Sequence, residues 1–320
     1  MPSPLERAER LEAALRAEGC ARVPRLYLKR DDLLSLALGG NKLRNLEFLL
    51  GDALAQGATD IVTAGRVQSN HCRLTAASCV RGGLGAHLIF TGERPAVATG
   101  NFLLDNLFGA RTYFTGSDDG ASRAALIDTV TREITDAGCR PYVIPVGGSD
   151  ARGAVGHALA ALELAQQFDV LSERLTRIVL ATATGGTQAG MLAGLRRLGI
   201  DAGIYGVAVA KSSADLAPDI LGIANEVTSV IGAGSISAAE VVVDDACLGA
   251  GYGIPSPAGQ AAIELLARTE GVLADPVYTG KGLAGLLALV RDGAFSGDET
   301  VVFIHTGGAP AIFADLPPPL

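Results

Sequence analysis

The chain has 320 residues, is 48% hydrophobic and 19% charged, and carries a net charge of −8. That is ample apolar material for one large domain or two ordinary ones, and a poor composition for disorder. An acidic chain with no basic block argues against binding a phosphate backbone or an anionic membrane surface, so neither nucleic acid nor membrane is an expected partner.

In chain order, the opening "MPSPLERAERLEAALRAEG" is charged and helical in pattern and lacks the apolar core of a signal peptide. No later apolar run is long enough to span a bilayer, and a cytoplasmic location is the expectation. Next comes "LALGGNKLRNLEFLL" (36–50), in which Lys42 stands at the mouth of a Gly-Gly turn before an amphipathic helix. Leu43, Leu46 and Leu50 are expected on one face of it. On its own Lys42 reads as a solvated surface lysine.

From residue 60 onward short β-rich runs alternate with helical ones. The strands expected are "DIVTAG" (60–65), "AHLIFTG" (86–92), "RTYFTG" (111–116), "YVIPVGG" (142–148), "RIVLATATGG" (177–186), "IYGVAV" (204–209), "EVVVDD" (240–245) and "VVFIHTGG" (301–308). Apolar runs of strand length with Gly-rich exits, alternating with helices, predict α/β architecture with parallel sheets covered on both faces. In open sheets of this kind a ligand lies at the carboxyl ends of the strands. The polar clusters "AGRVQSNH", "VGGSD", "ATATGGTQ" and "IHTGG" all fall there. No internal repeat is present, and the one low-complexity stretch is the terminal "PPPL".

The clusters carry the chemistry. "ATATGGTQAGMLAGL" (181–195) reads as a strand end, a Gly-Gly turn and a helix start, where free N–H groups bind an anion. Thr184 and Thr187 flank Gly185 and Gly186 and can add hydroxyl donors. No lysine stands in P-loop spacing and no G-x-G-x-x-G opens the first βα unit, so one small phosphate fits better than a nucleotide. A plain turn with a threonine cap fits equally well. "QSNH" puts Gln68, Ser69, Asn70 and His71 into one strand-to-helix turn, more polar groups than a cap requires. Tyr252 and Tyr278 each stand beside glycines and could shuttle protons or simply pack. Thr306 follows the last strand, either meeting a ring nitrogen or making a turn. The five cysteines are odd in number without Cys-x-x-Cys, and the four histidines lack metal spacing, so no disulfide framework or metal site is expected. Cys72 and Cys79, seven apart on one predicted helix, read as packing.

Lysine, phosphate cradle and a polar edge together are what pyridoxal phosphate requires, with a lysine made nucleophilic by a lowered pKa. At this point several stretches converge. "LYLKRDDLLSLALGGNKLRNLEFLL", "QSNHCR", "YVIPVGGSDARGAVGHALAALELAQQ", "GYGIPSP", "DPVYTGKGLAGL" and "FIHTGGAPAIFA" resemble the D-cysteine desulfhydrase and ACC deaminase family of tryptophan synthase β-like (fold type II) enzymes. The resemblance runs from about residue 25 to residue 314.

It implies two open parallel-type sheets, a small domain at 45–149 inserted into a large one at 1–44 and 150–320, the cofactor between them, and a homodimer. It implies that Lys42 holds the cofactor covalently, that Asn70 bonds its ring hydroxyl, that Thr184–Thr187 hold its phosphate and that Thr306 faces its ring nitrogen. Ser69 would lie by the substrate carboxylate and share acid–base work, with Gln68, Asn70 and His71 around the substrate and Tyr252 and Tyr278 flanking it. ACC deaminases resemble "VYEGK" and "HLGG" where this chain has Thr279 and Thr306, matching the desulfhydrase pattern. The implied reaction is β-elimination from a small β-substituted amino acid, D-cysteine first, with L-cysteate, ACC and related amino acids as alternatives. Departures from the pattern are "TATGGTQAG" in the phosphate loop, Cys72, and Asn45 where a basic residue is common.

Overall fold

The computed structural model of the protein describes residues 2–314; the terminal "PPPL" lies outside them. The chain opens with β1 (Leu5–Arg7), α1 (Glu9–Ala17) and β2 (Arg25–Arg30), followed by α2 (Lys42–Ala55). A run of strands and helices follows: β3 (Asp60–Gly65), α3 (Asn70–Gly82), β4 (Gly85–Phe90), α4 (Gly100–Leu107), β5 (Arg111–Phe114), α5 (Gly120–Asp136) and β6 (Pro141–Val143). Then come α6 (Ala151–Leu171), β7 (Arg177–Thr182), α7 (Gly186–Leu198), β8 (Gly203–Ala208), α8 (Ser213–Ile231) and β9 (Val242–Asp244). The last elements are α9 (Pro257–Glu270), α10 (Thr279–Arg291) and β10 (Thr300–His305).

The strands form two open sheets, as expected. One has the order β1-β2-β10-β7-β8-β9, the other β5-β4-β3-β6. All pairings are parallel except β1 with β2. The apolar runs are continuous because both faces are covered: on β7, Ile178 and Leu180 join the core on one side while Val179 joins the other, and on β10 Val302 and Ile304 oppose Val301 and Phe303. The smaller sheet divides in the same way, Ile89 facing Val130 and Ile134 while Leu88 and Phe90 face Phe102. No helix among the described residues is long and apolar enough to cross a membrane.

Three points of the sequence reading need correction. The N-terminal segment is not helical throughout: Pro2 and Pro4 hold it extended, β1 pairs with β2, and the helix begins at Glu9. The strand β2 was not expected, because "RLYLKR" carries three charges; its Lys29 is nonetheless buried, its amine held by the Ser3 carbonyl, Gln167 and Glu163. The expected strand at 142–148 stops at Val143, and Pro145 leads into a turn with Gly147 at φ 72°. Leu43, Leu46 and Leu50 do share one face of α2, packing with Leu49 and Ala53 into one apolar cluster, and Asn45 is buried beside them because the helix packs between α6 and α3. Cys72 and Cys79 are buried free thiols in separate apolar clusters.

Candidate functional site

The ends of five strands converge on one cavity of about 310 Å³. Gly65 ends β3 and Arg66 follows it, Thr91 follows β4, Thr182 ends β7 and Ala183–Thr187 follow it, Ala210 and Lys211 follow β8, and Thr306 follows β10. Both sheets therefore contribute to its walls, at their carboxyl ends. Lys42, Ser69, Asn70, His71, Thr184, Gly185, Gly186, Thr187, Tyr252, Tyr278 and Thr306 all line it. Gln68 does not: its side chain donates to Thr99 O (3.0 Å) and accepts from Asn101 N (2.8 Å), fixing the start of α4. Thr279 is likewise outside the lining. Its hydroxyl donates to Asp275 Oδ1 at 2.6 Å and it is fully buried.

Lys42 begins α2 and points at the turn between β6 and α6, its Nζ donating to Gly147 O at 2.8 Å. No carboxylate among the described residues pairs with it, and burial lowers its pKa to about 8, so about half of the amine is neutral at pH 8. The loop that delivers Lys42 is unusual: residues 37–40 all have positive φ, including Ala37 (48°) and Leu38 (65°). Arg73 from α3 holds this loop, donating to Ala37 O (2.6 Å) and Gly39 O (2.8 Å).

Ser69 is the N-cap of α3, its Oγ accepting from Cys72 N at 3.2 Å. Asn70 is oriented by Asn101 Nδ2, which donates to its Oδ1 at 3.0 Å. His71 Nε2 meets Thr63 Oγ1 at 2.9 Å, and burial pushes its pKa down to about 3, so the ring is neutral.

Helix α7 opens at Gly185 (φ 87°) with no side-chain cap. Its first N–H groups and the positive end of its dipole face the cavity, the arrangement that binds an anion. Thr184 Oγ1 lies 2.6 Å from Ser149 Oγ. A Cβ at Gly186 would meet Ser149 Oγ at 2.9 Å, so the tight turn needs glycine there.

Tyr252 and Tyr278 meet hydroxyl to hydroxyl. Burial raises both pKa values, Tyr278 well above its ordinary value; the pair is protonated at neutral pH. Two residues outside the expected set place them. Asp275 Oδ2 accepts from Tyr278 N at 2.8 Å, and the buried Lys281 donates to Leu248 O (2.7 Å) and Gly251 O (2.9 Å), gripping the loop that carries Tyr252.

The sequence reading also missed Asn41 and Ser149. Asn41 sits one residue from Lys42, and Ser149 ends the polar "VGGSD" cluster. Their positions beside flagged residues were the available signal.

A small aromatic aldehyde bearing a phosphate fits these residues. A desolvated amine awaits a carbonyl and an uncapped helix start awaits an anion. Two buried polar atoms in the wall, His71 Nδ1 and Thr182 Oγ1, lack hydrogen-bond partners among the described residues.

The comparisons with known proteins agree with that chemistry. A family described as "Pyridoxal-phosphate dependent enzyme" matches residues 1–307. D-cysteine desulfhydrases of Salmonella newport and Salmonella typhimurium are each 42% identical over 320 residues, spanning 98% of this chain and 93% of the relative. A crystal structure described as an ACC deaminase homologue superposes with a TM-score of 0.89 at 33% identity, covering 98% of this chain and 91% of that one. The crystal structure of a threonine deaminase from T.th. superposes at 0.68 with 18% identity, covering 99% and 94%, which bears on the fold alone.

Proposed function

Since the chain belongs to the pyridoxal-phosphate dependent enzymes, we propose that it is a lyase that removes the β-substituent of a small amino acid, with D-cysteine as substrate. Water and D-cysteine would give pyruvate, ammonia and hydrogen sulfide. The observation that carries this reading is the pairing, across one cavity, of a desolvated amine at Lys42 with two protonated tyrosines. The names of the relatives supply the substrate.

When bound, pyridoxal phosphate supplies the electron sink that takes up the pair left on Cα. The protein's residues do the rest. Lys42 would hold the cofactor, and its neutral amine would take the Cα proton. The uncapped start of α7, with Thr184–Thr187, binds the phosphate. Asn70 orients the ring through its hydroxyl and Thr306 faces the ring nitrogen. A neutral threonine there does not enforce a positive ring as a carboxylate would, which suits elimination of a good leaving group better than opening of the ACC ring. Ser69 and Asn70 receive the substrate carboxylate, with His71 behind them. The tyrosine pair gives a proton to the departing sulfur.

We take residues 1–44 and 150–320 as one domain and 45–149 as the other, closing on the substrate, and the working enzyme as a cytoplasmic homodimer. Sedimentation of the purified protein tests the last point.

The test of function is an absorbance spectrum of the purified protein titrated with D-cysteine while sulfide and pyruvate are assayed. A visible cofactor band, sulfide and pyruvate in equal amounts, and loss of all three in Lys42→Ala are expected. Sulfite from L-cysteate or 2-oxobutyrate from ACC, without sulfide, would transfer the assignment to those substrates. No band after adding pyridoxal phosphate would overturn it.

A further inference from the structure

Behind the cavity wall Asn41, His157 and Asn45, which none of the roles above uses, link the Thr187 hydroxyl to the backbone in one polar chain. Asn41 Nδ2 donates to Thr187 Oγ1 at 2.9 Å, Thr187 Oγ1 lies 3.3 Å from His157 Nε2, and His157 Nε2 lies 2.9 Å from Asn45 Oδ1. Asn45 Nδ2 ends the chain by donating to Gly148 O at 3.0 Å. Asn45 is 0%, His157 1% and Asn41 7% exposed, so bulk water does not rearrange them.

The proton positions follow from what each atom can do. Gly148 O only accepts, which fixes the Asn45 amide with its Nδ2 toward that carbonyl. Its Oδ1 then faces His157 and also only accepts, so His157 Nε2 carries a proton. A protonated Nε2 cannot accept from Thr187, and Asn41 already donates to the same hydroxyl oxygen. The single Nε2 hydrogen points first at Asn45 Oδ1 and can only be shared with Thr187 Oγ1 at 3.3 Å, so neither Asn41 nor His157 accepts from Thr187, whose own proton leaves in another direction. No protein acceptor within hydrogen-bond distance is found for it among the described residues, and Thr187 lines the cavity.

We infer that His157, fixed by Asn45 and assisted by Asn41, is a positioning residue that commits the Thr187 hydroxyl to donate into the cavity, toward the phosphate of the bound cofactor. This rests on the reading that the cavity takes a phosphate-bearing cofactor. Burial lowers the His157 pKa well below its ordinary value, with Arg44 and Lys42 adding repulsion, so the ring stays neutral and the relay adds direction without adding charge. The relay also ends on the turn whose Gly147 carbonyl takes the Lys42 amine. One buried chain therefore sets both the anion donor and the amine.

The experiment measures equilibrium binding of pyridoxal phosphate and of pyridoxal, which has no phosphate, to the apo protein and its variants by dialysis and absorbance. His157→Leu should weaken pyridoxal phosphate about tenfold, the scale of one hydrogen bond to a charged group, and leave pyridoxal unchanged. His157→Gln, which keeps an N–H at the same reach, should recover most of that loss. In a Thr187→Val background His157→Leu should cost nothing further. If His157→Leu does not fold, Asn41→Ala should show the same selective loss of the phosphate-bearing ligand. Equal losses for both ligands, or a stability loss with unchanged binding, would overturn the relay while leaving the cofactor reading intact. Failure of the unaltered protein to bind pyridoxal phosphate would instead overturn the cofactor reading itself.

Discussion

Lys42 owes its reactivity to what does not surround it. No carboxylate among the described residues lies within ion-pair distance, and burial brings its pKa to about 8. The sign follows: the amine is neutral, and so nucleophilic, above that value, and protonated below it. The rate at which apo protein takes up pyridoxal phosphate should rise with pH and level off with a midpoint near 8, followed by growth of the visible band. A midpoint near the ordinary lysine value would mean the amine is solvated. Linkage gives a second reading of the same shift. The folded protein resists a proton that the unfolded chain accepts, so the burial penalty is complete below about pH 8 and is relieved as pH rises toward 10.5. Apo Lys42→Met should accordingly melt higher than apo wild type at pH 7, by the equivalent of about 1–2 kcal/mol, while losing cofactor attachment.

At the scale of elements, the site depends on loops that other elements hold. The ammonium of Lys281 on α10 satisfies two carbonyls of the loop before and around Tyr252. Lys281→Met should leave both unpaired, lower stability by about 1–3 kcal/mol and reduce kcat by roughly tenfold to a hundredfold as Tyr252 drifts. Unchanged kcat in a folded variant would remove Lys281 from that role. The left-handed loop before Lys42 is held by Arg73 rather than by its own preference. Leu38 is 62% exposed at φ 65°, so Leu38→Gly should relieve strain at little packing cost and raise stability by about 0.5–1 kcal/mol in thermal melts.

These elements also mark what sequence could and could not tell. Strands β3, β4, β7, β8 and β10 were legible because both faces of each are apolar. β2 was hidden because its lysine and arginines find partners that appear only after folding. The site residues next to strand ends were legible from position and chemistry. Lys281 and His157 were not, because each acts on a segment distant in sequence. Gln68 was misassigned, since a polar side chain in a turn reads the same whether it faces a ligand or a neighbouring helix start.

Over the whole molecule, charge is distributed against its average. The chain is net −8, yet the cavity is lined by Arg66, Arg123 and Lys211 against one acid, Asp118. Arg66 pairs with Asp118 at 2.9 Å and Lys211 with Asp219 at 2.8 Å, while Arg123 forms no ion pair among the described residues. Arg123 is thus the unpaired one of these three positive charges in the wall, and it favours the approach of anions to an otherwise acidic molecule. Arg123→Glu should slow uptake of the doubly charged cofactor several-fold at low salt, with the difference closing at about 0.5 M salt, as stopped-flow absorbance would record. A salt-independent difference would point to a direct contact instead.

The contact between the Lys42 amine and the Gly147 carbonyl also bears on the order of events on the ribosome. While the chain is being made, residue 42 emerges long before residue 147, and the anion cradle at 184–187 comes later still. Until those arrive the lysine is an ordinary solvated cation, protonated and unreactive toward aldehydes. Reactivity is therefore conferred by segments synthesised more than a hundred residues after the lysine itself, and a misfolded chain would leave this lysine chemically silent.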